Sequence, residues 1–416
     1  MATQWVTTSN APFSDLNKSF QAFLKTFEIA SNNINKIKEP VLMADHIRKN
    51  IIERCHRVVV KAGTRLLTDP QSIPNLVAQI AAIRQSGRQV ILVSSGAVGM
   101  GMKLLGLKKR PHHLSDIQAL AAMGQVKLMA LYEKECLKYG FRAAQLLVTA
   151  DDLRSRERHL NAMNCIEALL SRDVLPVINE NDPVSVDELK FGDNDTLASY
   201  LGSMIRADLT IILTTVNGLL KPNPDGTLGD RIPLVQGVTR EQREMATGTD
   251  DGNTSIGGMI TKINAAEILN ESGDVLWIAS GLMPNILERI FQAEDVGTVF
   301  LPAEGIHKLE AKKRWIAVFS KVSGSLTVDD GAKKAIEQHA GSLLPSGVKK
   351  VTGTFKRGDV LEIRSLAGVV IARGQTNFSS AECRKLAGKH SNEIRAVLGC
   401  DAEEEIIHRN SMAIVH

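Results

Sequence analysis

From Val58 onward, short runs of apolar and β-branched residues alternate with stretches whose apolar positions recur every three to four residues. The runs are Val58–Lys61, Val90–Ser94, Ala143–Thr149, Val174–Ile178, Leu209–Thr214 and Val275–Ala279. Between them Ile73, Leu76, Val77, Ile80 and Ile83, and later Met259, Ile263, Ala266 and Leu269, fall on one side of a helix. Strands that are apolar at every position, not at alternate ones, are buried on both faces. Their alternation with amphipathic helices predicts an α/β fold with a mostly parallel sheet covered on both sides. Such sheets bind ligands beyond the carboxyl ends of their strands, and the glycine-rich turns of this chain fall there.

Near residue 300 the pattern changes. Leu301-Pro302-Ala303-Glu304-Gly305 reads as a linker, and the basic Lys312-Lys313-Arg314 follows. Short alternating runs then appear at Leu326–Val328, Val351–Phe355, Val360–Ile363 and Val369–Ala372, separated by glycines, which predicts a small β-rich module with a helix or two. The division expected is an N-terminal extension over 1–53, an α/β domain over 54–302 and a C-terminal module over 313–416. Within the extension, Leu16, Phe20, Phe23, Leu24 and Phe27 follow Ser14 with helical spacing. That face is expected to dock on its own domain or on a sister subunit.

A chain of 416 residues, 44% of them apolar, has room for two or three domains with real cores. No apolar run approaches the roughly 20 residues of a membrane span; Val90–Met102 is broken by serines and glycines. The first 53 residues hold Asp15, Glu28, Glu39, Asp45 and Glu53 and lack a basic start followed by an apolar segment. Neither a secretory signal nor a transit peptide is expected, and the predicted location is cytoplasmic. The five cysteines, an odd number without close pairs, encode no disulfide framework or zinc site and are expected as buried free thiols. Net charge is +4, yet residues 303–416 alone hold 18 basic and 13 acidic residues. The basic excess therefore lies in the C-terminal module, where it suits either a nucleic-acid surface or an ordinary solvated face.

Several chemistries lose support by absence. The chain has no G-x-x-x-x-G-K-[ST] loop, no G-x-G-x-x-G, no H-E-x-x-H and no G-x-S-x-G, and its ten histidines show no ligand spacing. What it does have is four polar turns at strand ends. Lys61-Ala62-Gly63-Thr64 puts a lysine and a glycine at the ligand edge. Ser94-Ser95-Gly96-Ala97 offers backbone N–H groups to an anion. Asn179-Glu180-Asn181-Asp182, together with Gly192-Asp193-Asn194-Asp195, gathers more carboxylates and amides than turns and helix caps require. Ser255–Lys262 runs a glycine turn into a helix and brings a second lysine. Two lysines, glycine turns and an acidic organiser suit phosphoryl transfer, where catalysis is positioning and charge neutralisation.

The ordered set VVVKAGT, LVSSGAVG, AAMGQ, QLLVTADD, PVINENDPV, GDND and GGMITK resembles the glutamate 5-kinases (gamma-glutamyl kinases) of the amino acid kinase family. The tail, with Lys313-Arg314-Trp315, Ser342–Pro345, Val351–Gly353 and Gly388–Ser391, is similar to the PUA domain that bacterial members append. The resemblance implies a three-layer αβα sandwich around a mainly parallel open sheet, plus a small β-rich PUA-like domain. It implies ATP-dependent phosphorylation of the L-glutamate side-chain carboxylate, the first step of proline biosynthesis, with proline as feedback inhibitor. Lys61 and Lys262 would neutralise the transferred phosphoryl group, and Asp195 would hold both lysines. Ser95, Gly96, Ala97, Asp182 and Asn194 would bind glutamate. Lys61, Gly63, Thr214, Thr215 and the stretch Ile256, Gly257, Gly258, Met259, Ile260, Thr261 and Lys262 would line the ATP site, with Mg²⁺ bridging phosphates and no metal ligand assigned in the protein. A homo-oligomer, dimer or tetramer, and a contact with glutamyl-phosphate reductase are expected as well.

The chain departs from the family pattern at Thr215, at Ser255-Ile256 and at Arg65, where the family usually has Asp, Gly-Thr and a small residue. These positions surround the nucleotide, so they bear on ATP affinity or adenine preference more than on catalysis. Two alternatives stay open at this point. One is a catalytically degenerate fold that senses a ligand or binds RNA through the C-terminal module. The other is a related acyl or carbamate kinase.

Overall fold

The computed structural model describes residues 39–415 except 68, 186–192, 224–226, 248–257, 307, 340, 391–392 and 399–402. The helix expected at Leu16–Phe27 lies outside the described residues, as do Gly192, Ser255, Ile256, Gly257 and Cys400. Eight strands form the main sheet: β1 (Arg57–Ala62), β2 (Gln89–Ser94), β3 (Arg142–Val148), β4 (Val174–Glu180), β5 (Leu209–Thr214), β8 (Leu234–Gln236), β9 (Leu276–Ser280) and β10 (Thr298–Leu301). Their spatial order is β3-β4-β2-β1-β5-β9-β10-β8. The first six run parallel; β10 is antiparallel to β9 and parallel to β8. A short hairpin, β6 (Leu220–Pro222) with β7 (Leu228–Arg231), stands apart from this sheet.

Successive strand residues feed opposite cores, as the pleat requires. Val58 and Val60 face one side, against the helices Ser72–Gln85, Leu114–Leu137 and Ile286–Phe291. Val59, Ile91 and Val93 face the other, against Arg156–Leu170 and Asn194–Met204. Farther along that second side, Ile212, Leu276 and Ile278 pack on the helix Met259–Glu271. Three layers result, and they explain why these strands read as unbroken apolar runs. The helix Glu39–Glu53 adds Ile51 and Ile52 to the first core. Among the described residues no helix is long and apolar enough to cross a membrane. Cys55, Cys136 and Cys383 are buried free thiols as expected, but Cys165 is exposed, because it falls on a solvent-facing position of its helix.

The C-terminal region has its own core, with Leu326, Val328, Leu361, Ile363, Ile371 and Phe378 fully enclosed. Its five strands, β11 (Val322–Val328), β12 (Val348–Gly353), β13 (Val360–Arg364), β14 (Val370–Gln375) and β15 (Met412–Ile414), lie in the order β12-β11-β13-β14-β15. The approach to it is anchored by Arg314, whose guanidinium forms a buried ion pair with Asp274. The same guanidinium donates to the carbonyls of Ser203 at 3.1 Å and Ser272 at 3.3 Å, at the ends of two helices of the α/β layer. Burial pushes the Asp274 carboxyl up, and Arg314 works against that push. Removing one partner of such a pair strands the other charge, at a cost of about 3–5 kcal/mol. Arg314→Ala is therefore expected to lower the thermal midpoint of the full chain. Arg314→Met combined with Asp274→Leu should recover most of that loss in a calorimetric scan.

Candidate active site

β1, β2, β4 and β5 end at one edge of the sheet, and there the turns singled out in the sequence converge. Lys61 lies within β1, paired with Val93 of β2 and Ile212 of β5, so its ammonium rises from the sheet itself. Asp195 sits in the first turn of Asn194–Met204, a helix capped by Asp193, whose side chain accepts from Thr196 N at 2.8 Å. Lys262 lies in the first turn of Met259–Glu271. These three elements bring both ammonium groups onto one carboxylate: Lys61 Nζ is 2.6 Å from Asp195 Oδ1, and Lys262 Nζ is 3.0 Å from Oδ2. Thr261 Oγ1 donates to Oδ2 as well, at 3.2 Å. Burial alone would raise the Asp195 carboxyl, but the two lysines outweigh it and hold the group below its ordinary value of 3.8.

Beside this triad lies a neutral network. Asn194 Nδ2 donates to Ser95 Oγ at 2.7 Å and to Asn179 Oδ1 at 2.9 Å, and Asn179 Nδ2 donates to Gln125 Oε1 at 3.1 Å. Gly96, at φ 106°, turns the chain from β2 into the helix Ala97–Leu104 through a conformation that side chains avoid. That helix is held by Gly124 of Leu114–Leu137, where an added Cβ would lie 1.8 Å from the carbonyl oxygen of Ala97. The AAMGQ motif thereby acquires a physical meaning: its glycine admits the backbone of the anion-facing turn, and its glutamine reaches Asn179.

One cleft of about 1000 Å³ takes in most of the residues singled out from the sequence. Lys61, Gly63, Ser95, Gly96, Ala97, Asp182, Asn194, Asp195, Thr214, Thr215, Gly258, Met259 and Lys262 all line it. Thr261 and Ile260 do not: Thr261 acts on Asp195, and Ile260 packs against the apolar cluster of its helix. The cleft also has walls beyond the candidate site residues, and of these pattern reading missed Arg110 and every apolar one. Val216, Leu219, Leu220, Leu228 and Met245 give one end an apolar lining, while Thr64, Arg110, Asn179 and Glu180 border the polar end. Leu228 sits on β7 and Met245 on the helix Arg240–Thr247, so only the fold joins them to the site. Among the described residues no group of three or more His, Cys, Asp or Glu side chains is placed to cage a metal ion.

Comparison with known proteins adds two assignments by family. The Amino acid kinase family pattern matches residues 56–280, and the PUA domain pattern matches residues 324–398. The chain is 43% identical to "Glutamate 5-kinase" of Marinomonas sp. over 374 residues, covering 88% of this chain and 98% of that protein. It is 41% identical to "Glutamate 5-kinase" of Geobacter sulfurreducens, covering 89% of this chain and 100% of that protein. The protein of the same name from Deinococcus radiodurans is 44% identical over 369 residues, with 86% and 100% covered.

Proposed function

Because this chain belongs to the amino acid kinase family, and within it to the glutamate 5-kinases, we propose that it transfers the γ-phosphoryl group of ATP to the side-chain carboxylate of L-glutamate. The observation that carries the reading is the Lys61–Asp195–Lys262 arrangement, two buried ammonium groups held on one carboxylate at the edge of a parallel sheet. The transition state of phosphoryl transfer carries negative charge spread over three equatorial oxygens, and fixed cations on either side are what it needs. A carboxylate attacks phosphorus without losing a proton first, so no general base is required. The turn at Ser95, Gly96 and Ala97 suits a carboxylate, and Asp182 suits an α-ammonium. Asn194 completes that end of the cleft.

The apolar wall of Val216, Leu219 and Leu220, reached from Thr214 and Thr215, suits an adenine, with Gly258 and Met259 near the phosphates. When bound, Mg²⁺ would neutralise charge on those phosphates; with no carboxylate cage in the described residues, we place it on the nucleotide. An intact triad favours catalysis over a degenerate sensor. The family reading also supports a cytoplasmic role as the first step of proline biosynthesis, with inhibition by proline. We further propose a homo-oligomer built on the Leu114–Leu137 helix, where Met123 and Val126 are 42% and 74% exposed beside the edge strand β3. The test is ADP release in the presence of Mg²⁺: it should require glutamate, fail with aspartate and fall on addition of proline. Equal release with and without glutamate would contradict the reading.

A further inference from the structure

We propose that Gln125 is a positioning residue that fixes which way round the Ser95–Asn194 pair presents its donors and acceptors to the substrate. The proposal rests on the glutamate reading above. A carboxamide can sit either way in a network, and its partners decide which. Here one chain of four side chains has a single direction. Asn194 uses both Nδ2 hydrogens, on Ser95 Oγ and on Asn179 Oδ1, and Asn179 in turn donates to Gln125 Oε1. Reversing Gln125 would reverse every link behind it. In the observed direction Asn194 keeps Oδ1 as an acceptor, suited to an ammonium. Ser95 accepts from Asn194, so its hydroxyl proton is left for a carboxylate.

What holds Gln125 itself is a second, smaller cavity of about 250 Å³, separate in shape from the main cleft but sharing Glu180 and Asp182 with it. Gln125 is 7% exposed, lines this cavity, and its Nε2 has no hydrogen-bond partner. A buried N–H donor without a partner is costly, and a cavity bordered by two carboxylates is where it costs least. The opposite orientation would set the amide oxygen beside those carboxylates and turn the nitrogen toward the Asn179 donor. The acidic wall of the small cavity therefore selects the amide orientation, and the relay carries that choice about three side chains away to the substrate.

The direct readout is discrimination between glutamate and glutarate, which has both carboxylates but no ammonium, followed by ADP release in the full-length chain. Gln125→Met leaves Asn179 and Asn194 free to turn, so the glutamate-to-glutarate ratio of kcat/KM should fall about tenfold, the scale of one hydrogen bond to a charged group. The change should appear in KM for glutamate, with KM for ATP within about twofold. Gln125→Glu, protonated beside the two cavity carboxylates, still offers Asn179 an acceptor and turns an O–H donor to the acidic wall, so it should keep the ratio within about threefold of wild type. If Gln125→Met does not fold, Gln125→Asn, one methylene too short to reach Asn179, should show the same loss. A merely structural role would slow both acceptors alike, and an unchanged ratio in an active Gln125→Met enzyme overturns the proposal alone. A wild-type chain that phosphorylates neither acceptor overturns the glutamate reading and this proposal with it.

Discussion

Lys262→Ala is expected to lower kcat for glutamate phosphorylation by about a hundredfold to a thousandfold while the chain stays folded. The magnitude is that of removing one preorganised electrostatic stabiliser from a transition state. The fold should survive because Asp195 still has Lys61 at 2.6 Å, so no buried carboxylate is stranded. Lys262→Arg should rescue little, since a planar guanidinium does not replace a point charge at 3.0 Å from Asp195 in a space that admits an ammonium. Steady-state kinetics with saturating ATP and glutamate is the measurement. A kcat within about fivefold of wild type would remove Lys262 from the chemistry.

Asp195→Asn is expected to do a different kind of damage. It removes the carboxylate from between two lysines whose side chains are 9% and 5% exposed, leaving both ammonium groups buried beside a neutral amide. Breaking a buried ion pair in this way costs about 3–5 kcal/mol, so the α/β domain should unfold at a clearly lower temperature or urea concentration than wild type. The pH dependence has a defined sign. Folding lowers the Asp195 pKa, so its contribution is present above the unfolded value near 3.8 and is lost as pH falls through the lower, folded value. The stability gap between wild type and variant should be full at neutral pH and close only below about pH 3.8. A variant as stable as wild type at pH 7 would show that Asp195 does not organise the lysines.

The two effects differ because the three residues are arranged asymmetrically, and that arrangement was only partly legible in the sequence. The sheet was legible, since continuous apolar runs such as Val58–Val60 have one physical explanation, burial on both faces. The β8 and β10 edge was less so, although β9 was read as the run Val275–Ala279. β8 is three residues long, and β10 reverses direction, features that hydrophobic period does not encode. The polar turns gave Lys61, Ser95, Asp182, Asn194, Asp195 and Lys262, because charged and amide residues crowded at strand ends exceed what capping needs. Pattern reading ended the strand at Lys61, whereas β1 runs on to Ala62 and Lys61 is the fifth of its six residues. A lysine in mid-strand reads as an end until its ion pair is known.

Other residues had no chemistry to mark them: Gly124 and Gln125 stood out only as part of the AAMGQ motif. Gln125 lies in the middle of a 24-residue helix, where a glutamine looks like any surface position until β4 brings Asn179 against it. Gly124 looks like a helix flaw, and its reason is a backbone 1.8 Å from where a Cβ would sit. Leu228 and Met245 are ordinary apolar residues far along the chain that become a cleft wall only through the β6–β7 hairpin and the helix after it. Sequence shows which residues are unusual for their local structure. It does not show which ordinary ones the fold carries to the site.

A cleft that phosphorylates the glutamate side chain makes an acyl phosphate. Hydroxylamine intercepts such a species as a stable hydroxamate, so the decisive experiment is trapping with ATP, Mg²⁺ and glutamate, with aspartate and Lys262→Ala as controls. Wild type should give γ-glutamyl hydroxamate with glutamate and none above background with aspartate, and the lysine variant should give only a trace. Folded wild-type protein that yields no hydroxamate, or yields as much after Lys262→Ala, would contradict this chemistry.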